Sequence, residues 1–564
     1  MSARELITDH LDLWTGAVTS RSTAGRGRNG KIELTGIKKL RELILELAVR
    51  GKLVDQDPDD EPASVLLERI AEEKARLVKE GKIKKPKKLP EISEEEKPFE
   101  LPEGWVWSRM HYALIKITDG THHSPPNHET GSFMYVSAKN IKPEGVLTSG
   151  ITYVTEEVHE EIYSRCDPEP GDLLYIKDGA TTGIAAINNL PIPFSMLSSV
   201  ALLKPHHQSL SNKFLLYCLR SPFFYEEMRS GMTGVAITRV TLKKLDCALI
   251  PIPPAAVQHR IVEKVDELMA LCDRLEQQVG DQLEAHEVLV DTLLNALTRS
   301  ADATEVAESW ARIAEHFDTL FTTEPSIDKL KQTIFQLAVM GRLVPQNPDD
   351  EPVSCLLQRY GIKSKPYVIH GWAEVALGGL GKIIGGSTPT KSKTEFWDGD
   401  IPWVSPKDMK LPLIHDSQVR ITEQALKKTS LKVVPENSLL MVVRGMILAH
   451  SFPVAITGRE VTINQDMKAL VAPNEISKYL LLYLQAAKSK LVELVDRSSH
   501  GTCKLISEKL WSHITYLPPI EEQARIIDKV DELMALCDQL KARLGEAGET
   551  RTHLAEAVVE QAVS

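Results

Sequence analysis

The chain holds 564 residues, 42% of them hydrophobic and 26% charged, with a net charge of −11. That length exceeds one hydrophobic core and asks for three or four units, and the composition is that of a soluble globular protein. No apolar run approaches the roughly 18 residues of a membrane span. The acidic balance argues against a surface that binds nucleic acid everywhere, so any such contact must come from local basic loops.

Residues 1 to 36 open with a short amphipathic stretch. Acids stand where a secretory signal needs an apolar core, so a cytoplasmic protein is expected. The segment continues as SRSTAGRGRNGK, in which Gly25, Gly30 and Lys31 fit GxxxxGK. Ile32 stands where a phosphate loop needs Ser or Thr and no strand precedes it, so a mobile basic linker is the better reading. Residues 37 to 67 predict a helix with Leu40, Ile44, Leu47 and Ala48 on one face, stopped by Gly51. Residues 68 to 100 add a charged helix and a solvated linker, with Lys82 to Lys88 near enough to a phosphate backbone only in passing.

Residues 101 to 253 and 366 to 517 differ in sequence but share a plan. Each opens on a Gly-Trp pair, Gly104-Trp105 and Gly371-Trp372. Each runs through short β-prone segments broken by Gly and Pro: MYVSAKNI and IPWVSPKDM, then GDLLYIKDG and NSLLMVVRG. Each then carries a helix, Asn212 to Arg220 and Ile476 to Ala487, and closes on Pro-Pro, Pro253-Pro254 and Pro518-Pro519. One fold with two loop sets suits two different ligands.

The remaining helical parts are copied. Ile261 to Leu275 (IVEKVDELMALCDRL) returns as Ile526 to Leu540 (IIDKVDELMALCDQL), with 12 of 15 positions identical. Ile37 to Leu67 (IKKLRELILELAVRGKLVDQDPDDEPASVLL) returns as Ile327 to Leu357 (IDKLKQTIFQLAVMGRLVPQNPDDEPVSCLL), with 19 of 31 identical. Naming the first repeat A and the second B, the order is B, module, A, B, module, A. The central A–B pair is continuous and its copy is split between the chain ends. Ile261, Val265, Leu268, Cys272 and Leu275 alternate by four and three, as do Ile526, Val530, Leu533, Cys537 and Leu540. This is an apolar seam suited to a coiled partner.

With LAVRGKLVDQDPDDEP and its echo LAVMGRLVPQNPDDEP, with IPWVSPKDM, with Pro-Pro before IVEKVDEL and IIDKVDEL, and with the circular order of repeats, the chain resembles the DNA specificity subunits of type I restriction–modification systems over nearly its whole length. The resemblance implies an α+β (mixed α/β) fold of two α/β target recognition domains, 101–253 and 366–517. Long antiparallel coiled-coil helices would separate them in a pseudo-two-fold circular arrangement. The central conserved helical region is then 254–365, and its distal copy is split into 37–67 and 518–564. An N-terminal extension, 1–36, and the charged linker, 68–100, depart from the family's smallest members. The resemblance further implies a bipartite, asymmetric double-stranded DNA target and two modification subunits that methylate one adenine at N6 in each half-site. Restriction subunits would complete an ATP-dependent nuclease. S-adenosylmethionine, ATP and Mg2+ would belong to those partners and none to this chain. Helices of 30 to 40 residues span about 45–60 Å at 1.5 Å per residue. That suffices to hold two readers roughly 34 Å apart, one turn of duplex.

Base edges are read by Arg, Lys, Asn, Gln, Ser, Thr or His. The first candidate loops are Asp119, Thr121, His122 and His123 in DGTHHSPP, and Ser387, Thr388, Lys391 and Lys393 in GGSTPTKSK. The second are Lys139, Lys177 and Thr181, with Lys407 and Arg444 in the other module. The third are the polar turns of Thr233, Thr238 and Arg239, and of Ser499, His500, Thr502 and Lys504. For any one of these, solvated surface is as good a reading as a DNA contact; as a set they are the expected interface, with some contacts fixing register and others specifying bases.

Catalytic signatures do not stand out. SPPN at Ser124 to Asn127 lacks the aromatic of an adenine methyltransferase (D/N)PP(Y/F) segment, and Asp466-Met467-Lys468 reads as ordinary strand rather than a nuclease centre. There is no nucleophile elbow. Cys166, Cys218, Cys247, Cys272, Cys355, Cys503 and Cys537 are scattered singly without metal-ligand spacing, so they read as reduced core thiols and no metal is expected. A non-catalytic recognition subunit is therefore the reading. Its rivals are a coiled-coil scaffold that reads no DNA, a methylation-only or phage-defence complex of the same architecture, and a self-contained enzyme.

Overall fold

The computed structural model describes residues 3–21, 31–230, 239–300, 303–497 and 503–563. Two units form. One holds Lys31–Asp281, the N-terminal helices and the chain end from Gly548; the other is Gln282–Ala547. The repeats lie on four helices: α1 (Thr35–Val49), α2 (Ala255–Arg299), α3 (Glu324–Val339) and α4 (Ile520–Val563). Helices α2 and α4 have 45 and 44 residues, longer than the 30 to 40 expected. A single interior glycine such as Gly280 weakens a helix without ending it, and no proline interrupts either run. Each spans about 65 Å at 1.5 Å per residue.

Each seam meets a B helix of its own unit. In the first, Ile261, Val265, Leu268 and Cys272 are buried and Leu275 is half-buried. Arg41 of α1 reaches across to Asp273 at 2.6 Å and Glu276 at 2.8 Å on α2. In the second, Ile526, Val530 and Cys537 share a core with Leu330, Ile334, Leu337 and Ala338 of α3, and Leu533 and Leu540 pack against it. Lys331 pairs with Asp538, and Lys541 with Asp328 at 3.2 Å. Burial pushes the Cys272 thiol up to about 11, so it stays a neutral core group. Gly51 and Gly341 follow α1 and α3 with φ of 69° and 67°, the left-handed conformation that lets the chain turn away.

The other repeated motifs form one joint, built twice. Arg260, at the start of α2, binds Asp60 of PDDEP at 2.6 Å; Arg525, at the start of α4, binds Asp350 at 2.6 Å. Gln258 and Gln523 donate back to the Pro253 and Pro518 carbonyls at 3.1 and 2.8 Å. The Trp105 indole donates to Gln56 at 2.8 Å and that of Trp372 to Glu522 at 3.0 Å. The Gly104 and Gly371 carbonyls accept from Ala63 and Val353. So the PDDEP, Gly-Trp and Pro-Pro motifs recur because each closes one side of the same corner. Asp350 is 7% exposed while the Arg525 side chain is 37% exposed, so the pair is partly screened. Asp350→Ala should cost about 1–2 kcal/mol, read as a lower midpoint of thermal unfolding.

The N-terminal extension belongs to the first unit's core. Helices Ala3–Thr8 and Leu11–Gly16 bring in Trp14, which is fully buried and donates its indole N–H to the Leu6 carbonyl at 3.3 Å. Strand Thr19–Arg21 pairs antiparallel with Lys31–Glu33. Gly25 and Gly30 lie outside the described residues, and Lys31 opens a strand where a phosphate loop would open a helix. The linker is partly docked: buried Arg109 donates to the Pro90 carbonyl at 3.0 Å and binds Glu96, whereas the lysines between 82 and 88 are exposed.

The two modules repeat one sheet. In the first, β1 (Leu114–Asp119), β2 (Leu173–Ile176), β3 (Ala185–Ile187) and β4 (Val200–Pro205) lie in the order β1-β4-β2-β3, all antiparallel. In the second, β5 (Lys382–Gly385), β6 (Leu439–Val442), β7 (Val454–Thr457) and β8 (Met467–Val471) lie as β5-β8-β6-β7, with Leu413–Ile414 added beside β7. Strands β2 and β6 are buried at every position, which is why they read as unbroken apolar runs. The helix Asn212–Arg220 falls where the sequence places it; its counterpart, Asn474–Ala486, starts two residues early behind Pro473.

Candidate nucleic-acid interface

Four segments, in their described parts, gather at one end of each sheet, around a short segment that holds none of the expected contact residues. In the first module the segment is Met196–Ser199. The Thr121 N–H donates to Met196 at 2.9 Å, Ser198 donates back to Thr121 at 2.8 Å, and Lys177 donates to Ser199 at 2.9 Å. The turn that carries Lys139 leans on the Ser199 hydroxyl through the Ala138 N–H at 3.4 Å. The fourth segment joins through Val240, which donates to the Lys177 carbonyl at 2.8 Å, and through a bridge between Asp178 and Arg239.

Residues 463–466 do the same in the second module. Ser387 donates to Ile463 at 3.0 Å, Asn464 to Val404 at the base of the Lys407 turn at 2.9 Å, and Val443 to Asp466 at 2.8 Å. Leu505 donates to the Val443 carbonyl at 2.9 Å, and Arg444 bridges to Lys504. The two ends therefore match residue for residue. Asp119-Gly120-Thr121 corresponds to Gly385-Gly386-Ser387, and Lys177-Asp178-Gly179 to Val443-Arg444-Gly445. Gly179 and Gly445 both take positive φ, 98° and 127°, as the turn after a central strand requires.

The side chains offered outward are His122, His123, Lys139, Thr181 and Arg239 in the first module and Lys391, Lys393, Lys407, Arg444 and Lys504 in the second, all exposed. Thr121, Ser387 and Thr388 are half-buried. The Thr121 hydroxyl donates to the His123 carbonyl at 3.0 Å, and the Ser387 hydroxyl meets Ser430 at 3.0 Å. Lys393 stands 5.2 Å over the Phe396 ring. Two expectations are corrected. Asp119 and Lys177 are 2% and 1% exposed and pair with each other at 3.4 Å, so they lie under the loops and do not reach outward. A charged residue in a strand of buried neighbours needs an internal counter-ion, and the run LLYIKDG already carried that signal. Thr233, Thr238, Ser499, His500 and Thr502 lie outside the described residues. The loop-gathering segments are short and without periodicity, so only the fold reveals them.

A duplicated frame that presents two unlike sets of polar and basic loops defines a two-headed recognition protein. Comparison with known proteins gives the class a family. The model described as "Type I restriction modification DNA specificity domain" matches residues 127–285 and 369–547. The specificity subunits of the Escherichia coli type I restriction enzymes EcoAI and EcoEI are each 37% identical, over all of this chain and all of theirs. A solved chain of a type I restriction–modification system aligns over 83% of this chain and 99% of its own length, at 18% identity and a TM-score of 0.49. The chain belongs to the family of type I restriction–modification DNA specificity subunits. It is the DNA-recognition component of such a complex, not its catalyst.

Proposed function

We propose that the chain reads a bipartite, asymmetric duplex sequence, one half with the loops around Met196–Ser199 and the other with those around residues 463–466. The observation that carries this reading is the match of the two loop frames set against the mismatch of what they present. Where one turn offers Asp178, Ala180 and Thr181, the other offers Arg444, Met446 and Ile447. Equal frames with unequal donors and acceptors favour unequal half-sites. Exposed Lys139, Lys407, Arg444 and Lys504 suit phosphates, which fix register, while the histidine and hydroxyl loops suit base edges.

The repeated helices are the surfaces that two modification subunits clasp, each subunit placed to methylate an adenine at N6 in one half-site. S-adenosylmethionine, ATP and Mg2+ act on those partners and on the restriction subunits, in the cytoplasm. Among the described residues no group of histidines, cysteines and acids is placed to hold a metal, and no helix is long and apolar enough to cross a membrane.

Methylome sequencing of a host that expresses the complex with and without this chain tests the reading. One two-part motif should appear only with the chain. Its persistence without the chain, or a single undivided motif, counts against it. Inserting about one helical turn, roughly four residues, between Arg274 and Ala296 of α2 should lengthen the unspecified spacer and leave both half-sites as they were. Altered half-sites would defeat the spacer role.

A further inference from the structure

In the first module a continuous series of charges joins loops that are far apart in sequence. Asp119 lies among Arg165 (Nη2 to Oδ1, 2.9 Å), His122 (Nε2 to Oδ1, 3.4 Å) and Lys177 (Nζ to Oδ2, 3.4 Å). Lys177 also reaches Asp178 at 3.4 Å, and Asp178 pairs with Arg239 at 3.3 Å. The second module has Gly385 and Val443 in place of Asp119 and Lys177.

Arg165 stands out in this series. Its Nη2 donates to the Asp119 carboxylate and to the Asp119 carbonyl, each at 2.9 Å, and to the Gly120 carbonyl. One corner of the guanidinium is thus held by three oxygens of the segment that leads into Thr121 and His122. Its Nε and Nη1 have no partner among the described residues, and the side chain is 52% exposed. The three N–H donors on those two nitrogens are therefore presented in a fixed orientation. Preorganisation of this kind removes the ordering cost that a free arginine carries into a complex. Asp119 also offsets the arginine's charge. That weakens its pull on a phosphate and leaves its directional donors, which suit the acceptor-only major-groove edge of guanine, O6 and N7.

We propose that Arg165 reads a guanine in the first module's half-site, and that Asp119 is its positioning residue. The inference rests on the proposed division of labour between the modules. It is tested in the assembled complex with modification subunits, by methylome mapping of Arg165→Ala, Arg165→Lys and Asp119→Asn. Arg165→Ala should relax one guanine of one half-site, with discrimination at that position falling about 10- to 100-fold, and leave the other half-site sharp. Arg165→Lys should relax the same position in part, and Asp119→Asn should relax it while Arg165 is still present. The slope of log affinity against log salt should stay as in the wild type.

A motif unchanged at every position, or methylation lost altogether, overturns the proposal. So does a slope shallower by about 0.9, the signature of one lost phosphate contact. A sharp motif in Asp119→Asn overturns the positioning role. If the wild-type complex itself shows no two-part motif, the underlying reading has failed and not this one.

Discussion

Gly386→Ala should silence the second half-site and leave the first intact, and Gly120→Ala should do the reverse. Neither glycine has a positive φ, so the argument is about space. A Cβ on Gly386 would lie 1.8 Å from the Asn464 carbonyl oxygen and 2.5 Å from that of Ile463; one on Gly120 would lie 1.8 Å from the Met196 oxygen. These neighbours are backbone and cannot swing aside as a side chain would. The loop must leave the segment it leans on, breaking Ser387 to Ile463 in one module and Thr121 to Met196 in the other. Overpacking alone costs about 1–3 kcal/mol, and each lost buried hydrogen bond about 1 kcal/mol more. A loss of about 3 kcal/mol is roughly two decades in affinity. Methylome mapping reads which half relaxes, and titration of the complex with its cognate duplex reads the size. A substituted complex that binds within a few-fold of wild type, with both halves sharp, would sink the argument.

The same comparison separates what the sequence reveals from what it hides. The two B helices and the seams are visible because burial imposes a 3.6-residue period on Leu40, Ile44 and Leu47, and on Ile261, Val265 and Leu268. The joint built twice is visible because Gly104, Gly371 and the Pro-Pro pairs are residues of special conformation. Helix α2 outruns its expected length because the 4–3 pattern, carried one step past Leu275 by Val279, fades there while the helix continues to Arg299. The partner of each seam was not readable at all, since periodicity says that a face is covered and not by what. At the loops, composition finds His122, Lys391 and Arg444 and offers Lys177 beside them, and only its place in the apolar run LLYIKDG sets Lys177 apart as buried. Arg165 lies in EIYSRCDP, just past the helix Glu156–Tyr163 and outside every candidate loop, and only the fold brings it to Asp119. Local signals thus report elements and corners; contacts between distant segments, which make up the site, are where the sequence falls silent.

Lys177→Val should destabilise the chain by about 3 kcal/mol, the low end of the cost of breaking a buried pair by removing one partner. The substitution leaves the carboxylates of Asp119 and Asp178 without the ammonium between them. Asp119 is too buried for water to replace it, and the nearby Arg165 and His122 answer only one of its two oxygens. The second module indicates how the loss can be mended. It packs Val443, 7% exposed, against the same frame with Gly385 in the place of the aspartate. Lys177→Val combined with Asp119→Gly should therefore recover much of the stability, with a coupling of about 1–3 kcal/mol between the sites. Denaturant unfolding of the wild type, both single variants and the double variant measures it, and additive single effects would refute the pairing. Recovery of stability should not bring recovery of reading, because the glycine also removes the carboxylate that anchors Arg165. A double variant that folds well yet still relaxes its half-site would show that the buried pair is kept for the geometry of the loops above it and not for stability.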